Sequence, residues 1–161
     1  MSGIQSLLAI GAVLLFGLVT LRFNSTVVQN ISLEVENKVY LTAFSIADDM
    51  IEEIKQKAFD EKTITFPTPD SSQLTWPDSL GREGEVWPNF DDIDDYNNYT
   101  KPIGLPYVDS FYVSTKVFYV NGNNPDQITT ATPTFYKKAE VTVTSPYMSI
   151  PVKLSFIFTL K

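Results

Sequence analysis

Apolar and polar residues alternate along this chain in three distinct rhythms. From Leu7 to Val19 no polar side chain interrupts the sequence. Ile4 and Leu21 extend the apolar stretch to about 18 residues, or ~27 Å of helix at 1.5 Å per residue, close to the ~30 Å hydrocarbon core of a bilayer. The first charged side chain is Arg22. From there the spacing becomes helical and one-sided. Val27, Val28, Ile31, Val35, Val39, Ala43, Ile46, Ala47, Met50, Ile51, Ile54 and Ala58 recur at three- and four-residue steps, while Glu34, Glu36, Lys38, Asp48, Asp49, Glu52, Glu53, Lys55 and Lys57 take the other face. No proline falls before Pro67. The pattern predicts one helix from about Ile4 to Phe59, ~80 Å long, which no globule of 161 residues matches in diameter.

The rhythm then fails. Thr63–Tyr107 is rich in Pro, Asp and Asn and reads as an ordered loop region with at most short strands. After it the period becomes two. Ser110–Val120 is dense in β-branched and aromatic residues, and Asn121–Pro125 is turn chemistry. Phe135–Thr144 alternates with Ala139, Val141 and Val143 on one face. Val152–Lys161 alternates with Leu154, Phe156, Phe158 and Leu160 on one face. Three strands of about ten residues make an antiparallel meander whose apolar face needs a cover, and the amphipathic helix Val28–Ala58 is the surface available for it. The expectation is an α+β fold: a long N-terminal helix on a small antiparallel sheet. Its parts are a hydrophobic helix over 1–24, an amphipathic helix over 25–60, and a head with loop region 61–109 and sheet 110–161.

Three readings of the first segment compete. A secretory signal calls for a basic region ahead of the apolar run and a small-residue cleavage site, and nothing basic precedes Leu7. A core helix of a globule would not be apolar on every face. A membrane helix fits both observations. Arg22 is a single vote for placing the C-terminal domain inside, whereas the acidic, aromatic remainder reads as an exported domain.

Composition narrows the chemistry. The net charge of −7 argues against a nucleic-acid partner. Histidine and cysteine are absent, which removes the imidazole base, the thiol nucleophile, Cys/His zinc sites and disulfides. The expectation is no enzyme and no cofactor, with one exception to weigh. Asp91, Asp92, Asp94 and Asp95, followed by Asn97 and Asn98, offer the oxygen ligands that calcium takes, although Tyr96 breaks the EF-hand spacing. The competing account is a solvated turn held by Asx hydrogen bonds. Of three glycosylation sequons, those at Asn24 and Asn30 fall in the expected helix, so Asn98 is the credible acceptor. The many aromatics read as core and subunit interface.

A long helix, first apolar and then amphipathic, laid on a small antiparallel sheet resembles the type IV pilins, including the pseudopilins of type II secretion. The start Met1-Ser2-Gly3-Ile4-Gln5-Ser6-Leu7-Leu8 has the family's shape, with Gln5 where a glutamate usually stands. The segments ADDMIEEIKQKAFD (Ala47–Asp60) and FDDIDDY (Phe90–Tyr96) also look like stretches of bacterial pilin-like proteins. The resemblance implies a bacterial inner-membrane protein that pilus assembly machinery builds into a helical homo-oligomeric filament at the cell surface. It implies assembly residues Met1, Gly3, Gln5, Leu8, Gly11, Ala12, Leu15 and Gly17, the small ones allowing close helix approach. There are departures. Gln5 offers only a hydrogen bond where the family glutamate pairs with a neighbouring terminal amine. The short basic leader, the proline near Arg22 and the C-terminal disulfide loop are missing. Met1 is then either the processed terminus or an initiator.

The leading expectation is a structural filament subunit. A minor pilin or secretion pseudopilin is the close alternative. A monomeric single-span protein with an exported ligand-binding domain is the alternative of another class.

Overall fold

A computed structural model describes residues 3–68, 70–105 and 108–160. Helix α1 spans Gly3–Lys55 and is followed by a short α2, Glu61–Thr65. Five strands follow: β1 Thr100–Leu105, β2 Val108–Asn121, β3 Asn124–Thr129, β4 Tyr136–Thr144 and β5 Val152–Thr159. Single-turn 3-10 helices occupy Ser71–Gln73 and Asp94–Tyr96. The fold is α+β, with a long N-terminal helix and an antiparallel sheet, as the sequence pattern predicts. The chain divides into two compact units, Met1–Val39 and Tyr40–Lys161.

The first unit is helix alone. Over Ile4–Phe23 its large apolar side chains are exposed all round, from 60% at Leu18 to 75% at Phe16. Thr20 Oγ1 donates back to the Phe16 carbonyl at 2.8 Å, so its hydroxyl is satisfied inside the helix.

The second unit holds the core. The sheet order is β1-β2-β4-β5, with β3 pairing the end of β2, and every pairing is antiparallel. Alternation on β2 buries Phe111, Val113, Thr115, Val117 and Tyr119, and on β4 it buries Lys137, Ala139, Val141 and Val143. The register sets Val113 opposite Val143, Thr115 opposite Val141, Val117 opposite Ala139 and Tyr119 opposite Lys137. Against this face lie Ala43, Ile46, Ala47, Met50, Ile51 and Ile54 of α1, all buried at helical spacing. Each large apolar side chain fully removed from water stabilises the fold by ~1.5–3 kcal/mol.

Three sequence expectations need correction. The helix was expected to reach Phe59 but ends at Lys55, because Ala58 turns to a distant partner. Its N–H donates to the Asp91 carbonyl at 2.9 Å, and its carbonyl accepts from the Ile93 N–H at 3.0 Å. The cover expected over Val28–Ala58 is buried only from Ala43 onward among its apolar positions before Phe59 apart from Val39, while Val28, Ile31 and Val35 stay more than half exposed. The face of β5 expected to be apolar and covered is half-buried, since β5 is an edge strand and Phe156 remains 38% exposed. The sheet also contains two strands beyond the three of the expected meander. β1 is a short strand inside the loop region 61–109, where short strands were allowed for, and β3, which was not expected, begins within the Asn121–Pro125 turn segment.

Candidate functional site

Two parts of the molecule carry features that folding alone does not account for. The first is the apolar helix. At 100° per residue, Gln5, Leu8, Ala12 and Leu15 fall along one stripe with Gly11 beside it, and Gly3 and Gly17 fall on the opposite side. The assembly residues expected from sequence therefore make two faces, not one patch. Met1 lies outside the described residues. A Cβ built on Gly3, Gly11 or Gly17 meets nothing within 4 Å. Glycine inside a helix costs ~1 kcal/mol relative to alanine. No contact inside the described chain offsets that cost at Gly11 or Gly17.

The second feature is an acidic knot in the head. Lys137 comes from the core face of β4 and is fully buried. Its ammonium donates to the Phe59 carbonyl at 2.7 Å, to Asp60 Oδ2 at 2.9 Å and to Asp94 Oδ1 at 2.5 Å. All three donors are used, so this amine is a structural cation rather than a free nucleophile. Asp60 is placed by two jobs at once. It caps α2 by accepting from the Lys62 N–H at 3.1 Å, and it accepts from the Thr75 N–H at 3.0 Å and the Thr75 hydroxyl at 3.1 Å. The Tyr119 hydroxyl closes the group, 3.1 Å from Asp60 Oδ2 and 2.8 Å from the Thr75 carbonyl.

The four neighbouring aspartates are sorted by the turn they build. Asp95 Oδ2 accepts from the N–H groups of Asp91 at 3.1 Å and Asp92 at 3.4 Å, and Asp92 Oδ1 accepts from the Asp95 N–H at 3.1 Å. This reciprocal capping winds the 3-10 turn Asp94–Tyr96 and sends the side chains in two directions. Asp94 faces Lys137, with Asp92 beside it. Asp91 and Asp95 face Glu85, and carboxylate oxygens of these three residues lie within 4.8 Å of one another. The quartet expected to share one ligand site is thus split.

Burial and charge act differently on these groups. Burial would raise Asp60, but the Lys137 ammonium and its hydrogen bonds outweigh that and hold its carboxyl below the usual range. Asp94 meets the same ammonium yet is raised, because burial dominates. Asp92 is pushed up to about 9 by burial and then by the charge of Asp94. The opposite directions at Asp60 and Asp94 are consistent once Asp60 is taken as the ion-pair partner and Asp94 shares a proton with Asp92. Asp92 Oδ2 and Asp94 Oδ2 are buried with no hydrogen-bond donor against them, in keeping with a proton held by the pair.

Around the knot the loop is pinned. Glu53 of α1 accepts from the Trp87 indole at 2.8 Å and the Tyr96 hydroxyl at 2.7 Å. Phe90, Tyr96 and Tyr99 pack edge to face at 5.0 to 6.1 Å. Asn98 is exposed at φ 56 in the turn before β1, an accessible position for the sequon acceptor. Elsewhere an open apolar groove of about 680 Å³ is lined by Thr63–Thr68, Phe135 and Leu160 and presents no ionisable side chain.

Sequence reasoning missed Lys137, Asp60 and Glu85. The signal for Lys137 was available: it lies in phase with Ala139, Val141 and Val143, so the alternation that buries them buries a lysine too. Comparison with protein families, with curated proteins and with solved structures returns no match to this chain.

Proposed function

We propose that this chain is the structural subunit of a type IV pilus-like filament, held in a membrane by α1 before assembly. The observation that carries this reading is the exposure of the apolar start of α1 on every face: Ile4, Leu7, Leu8, Ile10, Val13, Leu14, Phe16, Leu18, Val19 and Leu21 are all at least 60% exposed. The helix is long and apolar enough to cross a bilayer. At ~1–2 kcal/mol for each of its apolar residues, its removal from water stabilises whatever covers it by tens of kcal/mol. Lipid supplies that cover before assembly. Copies of the same helix supply it afterward, through a head-to-tail contact that does not close and so propagates. Open space at Gly11 and Gly17 supports close approach by another helix, and the division of the assembly residues between two faces suits a core in which each helix has neighbours on several sides. A minor or priming subunit would use the same surfaces at lower copy number.

Shearing of cells that express the chain is the direct test. Electron microscopy of the released material should find filaments containing it. If shearing releases none, and the chain is recovered only from detergent as a monomer, a single-span membrane protein with an exported head replaces the filament reading.

A further inference from the structure

We propose that Glu85, Asp91 and Asp95 form a binding site for a hard divalent cation, calcium by preference. The proposal stands independently of filament assembly. Carboxylate oxygens of the three residues already converge within 4.8 Å. Asp95 is 1% exposed, and its Oδ1 has no hydrogen-bond partner. Its other oxygen is fixed by the N–H groups of Asp91 and Asp92, so the carboxyl is held in place beside Glu85 and Asp91. Glu85 Oε2 is likewise buried and without a partner. A buried carboxylate oxygen with nothing to accept from is costly, and two of them within one group of three acids are costlier.

Among the described residues no ion pair reaches these three acids; those involving lysine lie elsewhere, at Glu34, Glu52, Asp60, Asp94, Asp126 and Glu140. The negative field spreads beyond the three ligands. Glu61 and Glu83 stand near enough to feel the charges of the neighbouring aspartates. One proton shared by Glu85 and Asp95 would use the two free oxygens but leave Asp91 and this field uncompensated. A divalent ion answers both.

The ligand chemistry selects the ion. Only carboxylate oxygens are offered, with no nitrogen or sulfur, which favours a hard cation. Asp91 is exposed, so water can complete the shell. The three acids come from two loop segments, and calcium accepts irregular shells of 6–8 oxygens where magnesium demands a near-ideal octahedron. Gly84, at φ 106, makes the turn that presents Glu85, a conformation open to glycine and strained for other residues.

The test uses the full chain in detergent, stripped with a chelator. Calcium is titrated by calorimetry, thermal unfolding is followed with and without calcium, and terbium emission is read through Trp87, two positions from Glu85. The expected result is one saturable calcium per chain, a raised Tm, and at least tenfold weaker binding for Glu85→Gln and for Asp91→Asn. Both substitutions are chosen because Asp95 itself holds the turn together. Asp126→Asn, an exposed acid on β3, should bind as the unmodified chain does. The proposal is overturned if calcium neither saturates nor moves the Tm at millimolar concentration, or if Glu85→Gln and Asp91→Asn bind no more weakly than Asp126→Asn. A rise in Tm for Glu85→Gln in chelator, with no response of the unmodified chain to calcium, would likewise overturn it and assign the gap to a shared proton.

Discussion

The first unit and the head solve the burial problem in opposite ways. Over 3–39 the chain is one helix with no interior of its own, and its apolar side chains stand exposed as far as Val35. Over Tyr40–Lys161 the apolar face is covered by the chain itself, and even a lysine and several aspartates are enclosed. The first region depends on lipid or on other molecules for its environment. The head supplies its own, down to individual protons. The contrast separates what the chain must find outside from what it carries within.

Removing residues 1–21 breaks the comparison most completely. The remaining chain should be recovered without detergent as a soluble monomer, by size-exclusion chromatography and light scattering. Fibres from that truncated chain would remove the helix from its assigned role.

Next in size is Lys137→Met. It leaves Asp60 and Asp94 buried without their cation, and breaking a buried pair from one side costs about 3–5 kcal/mol. Urea denaturation of the truncated chain measures this. Adding Asp60→Asn and Asp94→Asn should recover most of the loss, because the penalty lies in the uncompensated charge.

The pH dependence of the head is the third handle, read in chelator. Asp92 has its pKa raised from 3.8 to about 9, so the folded head holds a proton that the unfolded chain releases. The stability from this group is full below about pH 4 and is lost as pH rises toward 9. Asp60 runs the other way: its pKa is lowered, so its contribution is present above its unfolded value and is lost as pH falls through the folded one. Asp92→Asn should therefore lose less stability than the unmodified chain between about pH 6 and 9. Equal slopes for the two would show that Asp92 is ionised in the fold.

The smallest effect is expected at Gly11 and Gly17. Substitution with leucine meets open space and should leave the head's unfolding transition unchanged. In the filament reading it should raise the concentration needed for assembly about tenfold, ~1.4 kcal/mol. Unchanged assembly would mean that those glycines are not helix contacts.

The long helix was legible because its signal is local: an unbroken apolar run from Leu7 to Val19, then apolar positions at helical spacing from Val27 to Ile54. Its end was not, because Ala58 leaves the helix for Asp91 and Ile93, partners remote in sequence. β1 was hidden by Pro102, yet the strand lies on the sheet edge and pairs only with β2, a setting that tolerates proline. β3 was hidden by Pro125 and pairs only with the end of β2. The aspartate run stood out in the sequence, but its division between Lys137 and Glu85 depends on contacts across the fold. Reading Lys137 as a surface charge sets aside the very alternation that places Ala139, Val141 and Val143 in the core.

Lys137 also bears on how a chain without cysteine is fastened. One ammonium joins Phe59 and Asp60 at the end of the helical region to Asp94 in the loop and to β4, positions 43 to 78 residues apart in sequence. A disulfide would fasten such points with a single covalent bond, and only where oxidants prevail. This fastening needs no oxidant and no folding catalyst, and it resists reductants. The head can close identically on either side of a membrane, and the chemistry that opens it is a change in proton count rather than in electrons.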